Sequence, residues 1–184
     1  MAALTAEVLN IPKEYVLVTS TGVIAKPLPM PKVRAGIKKI TEHLSPKGSG
    51  AAARAIMTTD LRPKEIAVKI GNITIGGIAK GSGMIEPNMA TMHAFITTDA
   101  EVAQPVLQNM LKAAVDRSFN LISVDNCMST SDCVFLLANG ESGIRAGRPV
   151  KAREGLDGRG LSEEKFVEGL NFVCQYLAKE IARD

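Results

Sequence analysis

The sequence predicts an α+β fold: a layered arrangement of helices and several short strands, read as a single domain over residues 1–184. Three observations carry this. Short β-prone runs flank a Gly71-Asn72 turn and recur near residues 94–100 and 134–138. Apolar residues recur at helical spacing in three longer segments. Clusters of Gly and Pro punctuate the runs. A hydrophobic fraction of 46% and a charged fraction of 22% are ordinary globular values. With 4% aromatics and no Trp, the core must be aliphatic.

Taken in order, Ala2–Leu9 reads as the tail of a helix that Pro12 breaks. Tyr15–Thr19 reads as a short apolar strand running into a turn at Ser20–Ile24. Pro27, Pro29 and Pro31 argue against regular structure, after which Val33, Ile37, Ile40 and Leu44 mark a helix. The breaker cluster Pro46–Gly50 ends it, and Ala51–Met57 forms a second, Ala-rich helix. Ile66, Val68 and Ile70 alternate with Ala67 and Lys69 before Gly71-Asn72, and Ile73–Ile75 returns, which predicts a hairpin. A strand follows at Ala94–Ala100. Val106, Met110, Leu111, Ala114 and Val115 then define a helix within Val102–Phe119. Ile122–Val124 reads as a strand, Ser129–Asp132 as a polar turn and Val134–Ala138 as a strand. Gly140–Gly160 reads as a loop. Ser162 caps a last helix with Glu163 and Glu164 in its first turn and Phe166, Leu170, Val173 and Leu177 on one face.

Bulk properties exclude several classes. A net charge of +3, dispersed along the chain, does not make a nucleic-acid footprint, and Lys38-Lys39 reads as a solvated helix face. Three cysteines without a leader pattern point to reduced thiols and a cytoplasmic protein. Cys127 and Cys133 fit no common zinc spacing and the two histidines, His43 and His93, lie apart from them, so no metal site is expected. No apolar run approaches the ~20 residues of a membrane span.

The segment Gly77–His93 is the most unusual of the chain. It gathers glycines, Lys80, Pro87 and the small pair Ala90-Thr91 ahead of an apolar run, which reads as a tight loop delivering Thr91 to the start of a strand. A threonine hydroxyl needs a base to act as nucleophile. His93 would share its strand face but stands in no motif. A cut between Ala90 and Thr91 would supply another base, the freed α-amine, whose reference pKa of about 7.7–8.0 leaves part of it unprotonated at neutral pH. Read simply, Thr91 opens a strand. Acyl transfer also needs an oxyanion hole, for which Ser20-Thr21-Gly22 offers backbone N–H groups and the Thr21 hydroxyl, although such turns are common. Lys80, set in an apolar context, suits a substrate carboxylate. Thr58-Thr59-Asp60 reads as a helix-terminal turn or as polar lining.

At these residues the chain closely resembles the ornithine acetyltransferase (glutamate N-acetyltransferase) family. The resemblance runs through Gly76–Met92, Val18–Ile24, Ala53–Asp60 and Asp116–Asn120. It implies a layered α/β fold grouped with self-processing aminopeptidases, and cleavage between Ala90 and Thr91 into fragments 1–90 and 91–184. Thr91 would become acetylated and pass the acetyl group from N-acetylornithine to glutamate, in arginine biosynthesis, with no cofactor. Some members also accept acetyl-CoA. Thr21 and Gly22 match the oxyanion pair, and Thr58, Lys80 and Thr91 match substrate-binding positions, with Thr58 chosen over its neighbour Thr59. Members of the family are longer. The chain therefore reads as part of a family domain, without a downstream substrate-binding glutamate and later asparagine and threonine contacts. It also departs from the family at Val124–Cys133, which loses a glycine and an acid, and at His93, where leucine is usual.

Two other readings remain open: a self-processing amidohydrolase or aminopeptidase, and an inactive truncated remnant. A chain lacking part of its domain should also expose apolar surface and form oligomers.

Overall fold

The computed structural model describes residues 1–23, 25–83, 92–125, 129, 131–146 and 163–184. These fall into two compact units, Met1–Ser49 and Gly50–Asp184.

The first unit holds two packed helices, α1 (Ala2–Leu9) and α2 (Met30–Ile40). Asn10 ends α1 in the left-handed conformation (φ 53°), and its N–H bonds back to the Ala6 and Glu7 carbonyls. Tyr15–Thr19 does not form the predicted strand. Lys13–Tyr15 closes a short 3-10 turn, and the following residues join no ladder. An apolar run becomes a strand only where a partner satisfies its backbone; here Tyr15, Leu17 and Val18 remain exposed. Pro31 does not break regular structure either. It sits in the first turn of α2, where a missing N–H costs nothing.

The second unit is α+β, as predicted. A short helix, α3 (Ser49–Ala55), leads to a four-stranded sheet of β1 (Lys64–Ile70), β2 (Ile73–Lys80), β3 (His93–Thr98) and β4 (Cys133–Ala138), in that spatial order. β1–β2–β3 are antiparallel; β3 and β4 are parallel, joined by a crossover containing α4 (Gln104–Asp116). The last helix, α5 (Glu163–Ala182), packs on β1 and β2. One face of the sheet, including Ile75, Ile96 and Leu136, forms the core with Leu170, Val173 and Leu177 of α5. Ile122–Val124, expected as a strand, joins no ladder; it follows a 3-10 turn at Phe119–Leu121.

The largest departure concerns the glycine-rich segment. It is not a loop from Gly77 onward: β2 runs through Gly76 and Gly77 to Lys80. Packing explains the glycine. A Cβ on Gly77 would stand 3.0 Å from Leu177 Cδ1 and 3.2 Å from Val173 Cγ1, so α5 can lie close only because nothing is there. Ser162, and residues 147–160 of the expected loop, lie outside the described residues. No described helix is long and apolar enough to cross a membrane.

Candidate active site

One end of the sheet gathers the chemistry. There β1 begins at Lys64, β2 ends at Lys80, β3 begins at His93 and β4 begins at Cys133. Lys80, His93 and Cys133 stand in one row across three strands, because Lys80 pairs with His93 and His93 with Cys133. Side chains of paired residues share a sheet face, so this row lies opposite the face covered by α5.

Lys80 is buried, 3% exposed, which a solvated loop lysine would not be. Burial holds its ammonium below the usual lysine range; the charges of Asp60 and Asp132 oppose that shift and Lys64 adds to it. His93, 4% exposed, is likewise held below the ordinary imidazole range by burial and by the Lys80 charge. Its ring stacks on Phe95, which meets Phe135 edge-on.

Asp60 fixes the turn beside Lys80. Its Oδ1 accepts the Gly81 N–H at 2.6 Å and the Lys64 ammonium at 2.8 Å, and its Oδ2 accepts the Thr58 N–H at 3.0 Å. Burial raises this carboxyl, but the Gly81 N–H, the Lys64 ammonium and the Thr58 N–H outweigh it and hold the group below the usual carboxylate range. Gly81 leaves β2 with φ 150°, a conformation suited to glycine. Thr59 meets Ser82 through their hydroxyls at 2.8 Å. Thus Thr58 and Lys80, widely separated in sequence, are tied to one carboxylate and its neighbour Gly81. Lys64 is fully buried and also pairs with Asp184 at 2.5 Å.

Asp132 closes the other side. Its Oδ1 accepts the Met92 N–H at 2.8 Å, while its Oδ2 is buried with no hydrogen-bond partner among the described residues. Burial drives this carboxyl from 3.8 up to about 6, against the Met92 bond and the Lys80 charge. Behind it, Met92, Asp132 and Val134 line a cavity of about 300 Å³ against Leu111, Lys112 and Phe119.

Of the residues singled out in the sequence, Thr58 and Lys80 belong to this second unit; Thr21 and Gly22 belong to the first, in irregular chain. Ala90 and Thr91 lie outside the described residues. Asp60 was read only as part of a turn or polar lining, and Lys64 and Asp132 escaped sequence reasoning as site residues. The Asp60/Lys64 spacing of four was the available signal, and it was masked by a hairpin pattern that treats Lys64 as a polar strand opener. Among the described residues no cluster of His, Cys, Asp and Glu is placed to hold a metal ion.

Fold and site together define an α+β chain with a buried ionisable cluster where the central strands begin and end. Comparison with known sequences takes this further. The ArgJ family profile matches residues 1–184. A Synechococcus protein named "Arginine biosynthesis bifunctional protein ArgJ" is 51% identical over 97% of this chain, but only 42% of its own length is matched. Proteins of the same name from Thermotoga neapolitana (48% identical, all of this chain, 45% of theirs) and Staphylococcus aureus (45%, 97% and 42%) behave alike. The chain belongs to the ArgJ family, and it spans less than half the length of these relatives.

Proposed function

We propose that this chain carries the threonine-nucleophile part of a glutamate N-acetyltransferase of arginine biosynthesis. The single observation that best supports this is the setting of β3. The residue just after Thr91 is bonded to half-buried Asp132, and the next stands in register with buried Lys80. Position 91 is therefore followed directly by two residues that meet ionisable groups withdrawn from solvent, the setting in which catalytic chemistry concentrates.

In this reading the Thr91 hydroxyl first attacks the Ala90 carbonyl carbon. The Ala90–Thr91 amide becomes an ester as its C–N bond breaks and frees the Thr91 amine, and water then hydrolyses the ester to give the Ala90 carboxylate and restore the Thr91 hydroxyl. That amine then takes the hydroxyl proton as Thr91 Oγ attacks the acetyl carbonyl of N-acetylornithine. The proton passes to the departing ornithine amine, leaving acetyl-Thr91. The amine of glutamate attacks this ester, giving N-acetylglutamate and restoring the hydroxyl. Thr21 and Gly22 would steady the oxyanion. Lys80 would meet a substrate carboxylate, and Thr58 would line the same site. Acetyl-CoA is an alternative donor. Fragments 1–90 and 91–184 would act together as one cytoplasmic, oligomeric unit, with the remaining contacts supplied by sequence that the longer relatives contain.

Intact mass tests the core of this reading. Wild-type protein should resolve into two fragments splitting before Thr91, and Thr91→Ala should remain one chain. An uncut wild type would refute it. Acetyl release that proceeds equally with and without glutamate would instead favour hydrolysis.

A further inference from the structure

We propose that Asp132 is a positioning residue for the nucleophile at position 91, acting by gripping the chain one residue downstream of it. This rests on the threonine-nucleophile reading given above. Met92 is held on both sides of its backbone: its N–H donates to Asp132 Oδ1 at 2.8 Å, and its carbonyl accepts the Cys133 N–H at 3.2 Å. The second bond continues the parallel ladder of β3 and β4. The first does not belong to any ladder; a side chain reaches in where β3 has yet to begin. The Met92 nitrogen is the atom through which Met92 joins residue 91, so a hold on that nitrogen is a hold on the chain at the bond next to the proposed nucleophile.

A purely structural carboxylate, such as Asp60, has both oxygens satisfied. Asp132 instead buries a second oxygen, Oδ2, that no described group satisfies, an arrangement that costs stability. The Lys80 charge at the end of β2 acts on it, and Lys112 of α4 lines the same cavity. A carboxylate among these groups can strengthen or relax its hold on Met92 as it gains or loses a proton, which a carbonyl could not.

The test uses the 184-residue chain as wild type, Asp132→Ala, Asp132→Asn and Thr91→Ala, with fragment formation followed by intact mass from pH 5 to pH 8. Asp132→Ala should slow cleavage at least about tenfold, since small misplacements of a reacting group carry penalties of that order or more. Asp132→Asn still offers an oxygen to the Met92 N–H. It should recover most of the rate while losing the pH dependence near 6. Amide hydrogen exchange at Met92 should quicken in the Ala variant and not in the Asn variant. The proposal is overturned if Asp132→Ala cleaves at the wild-type rate while Thr91→Ala is inert, or if a folded Asp132→Asn is as slow as Asp132→Ala. If wild type itself is not cut, the threonine reading falls and this one with it.

Discussion

Two charged clusters stand at the same end of the sheet and obey opposite rules. Around Lys64, every charge is answered. Its ammonium meets Asp60 and Asp184, and the Asp60 carboxylate takes two backbone N–H groups besides. Around Lys80, charges are displaced instead: the lysine and His93 are held below their ordinary ranges, and Asp132 is pushed up to about 6 with one oxygen unanswered among the described residues. Both clusters are desolvated, so burial alone does not separate them. Hydrogen-bond completion does. A completed cluster holds the chain in place; an incomplete one costs stability and is retained where something else gains from it.

The comparison breaks most visibly at Lys64. Lys64→Met would leave Asp60 and Asp184 buried without their cation, and should cost about 3–5 kcal/mol in chemical denaturation. The same substitution in the other cluster should behave differently. Lys80→Met removes a charge that burial already disfavours, so stability should hold or rise, and, on the proposed function, affinity for N-acetylornithine should weaken by about 1.5–3 kcal/mol in calorimetric titration.

Asp132→Asn sharpens the contrast through pH. The folded carboxyl binds its proton more tightly than the unfolded one, so its contribution is complete below pH 3.8 and is lost as pH rises towards about 6. The Asn variant should therefore be more stable than wild type by about 1–2 kcal/mol at pH 7, after discounting for partial exposure, and no more stable near pH 4. His93→Leu should give the smallest effect. A lowered imidazole pKa means stability is full above pH 6.5 and falls in acid, so the variant should flatten the acid-side slope of thermal denaturation without moving the neutral value.

Much of the second unit was legible because its signals are local. The alternation of Ile66, Val68 and Ile70 and the apolar stripe of α5 each report one buried face, and the elements appear where those patterns lie. The first unit was harder. Tyr15–Thr19 has strand composition, but pairing is decided by a partner that composition does not name. The glycines of β2 misled for a related reason: Gly77 is selected by the close approach of α5, a contact nearly a hundred residues away in sequence. The site divides likewise. Lys80 stood out because an apolar context is strange for lysine. Asp132 did not, since its meaning comes from the Met92 N–H, forty residues away in sequence and just ahead of β3.

The order of strands carries a last consequence. A break after residue 90 would assign β1 and β2 to one polypeptide and β3, β4, α4 and α5 to another, yet β2 and β3 are ladder neighbours and α5 rests on β1 and β2. The two pieces would share one core, and neither could keep its buried face dry alone. Processing would thus be nearly invisible in the native state and conspicuous on refolding. A first-order reaction would become second-order, with a melting temperature that climbs with protein concentration and a yield that depends on the pieces meeting in equal number.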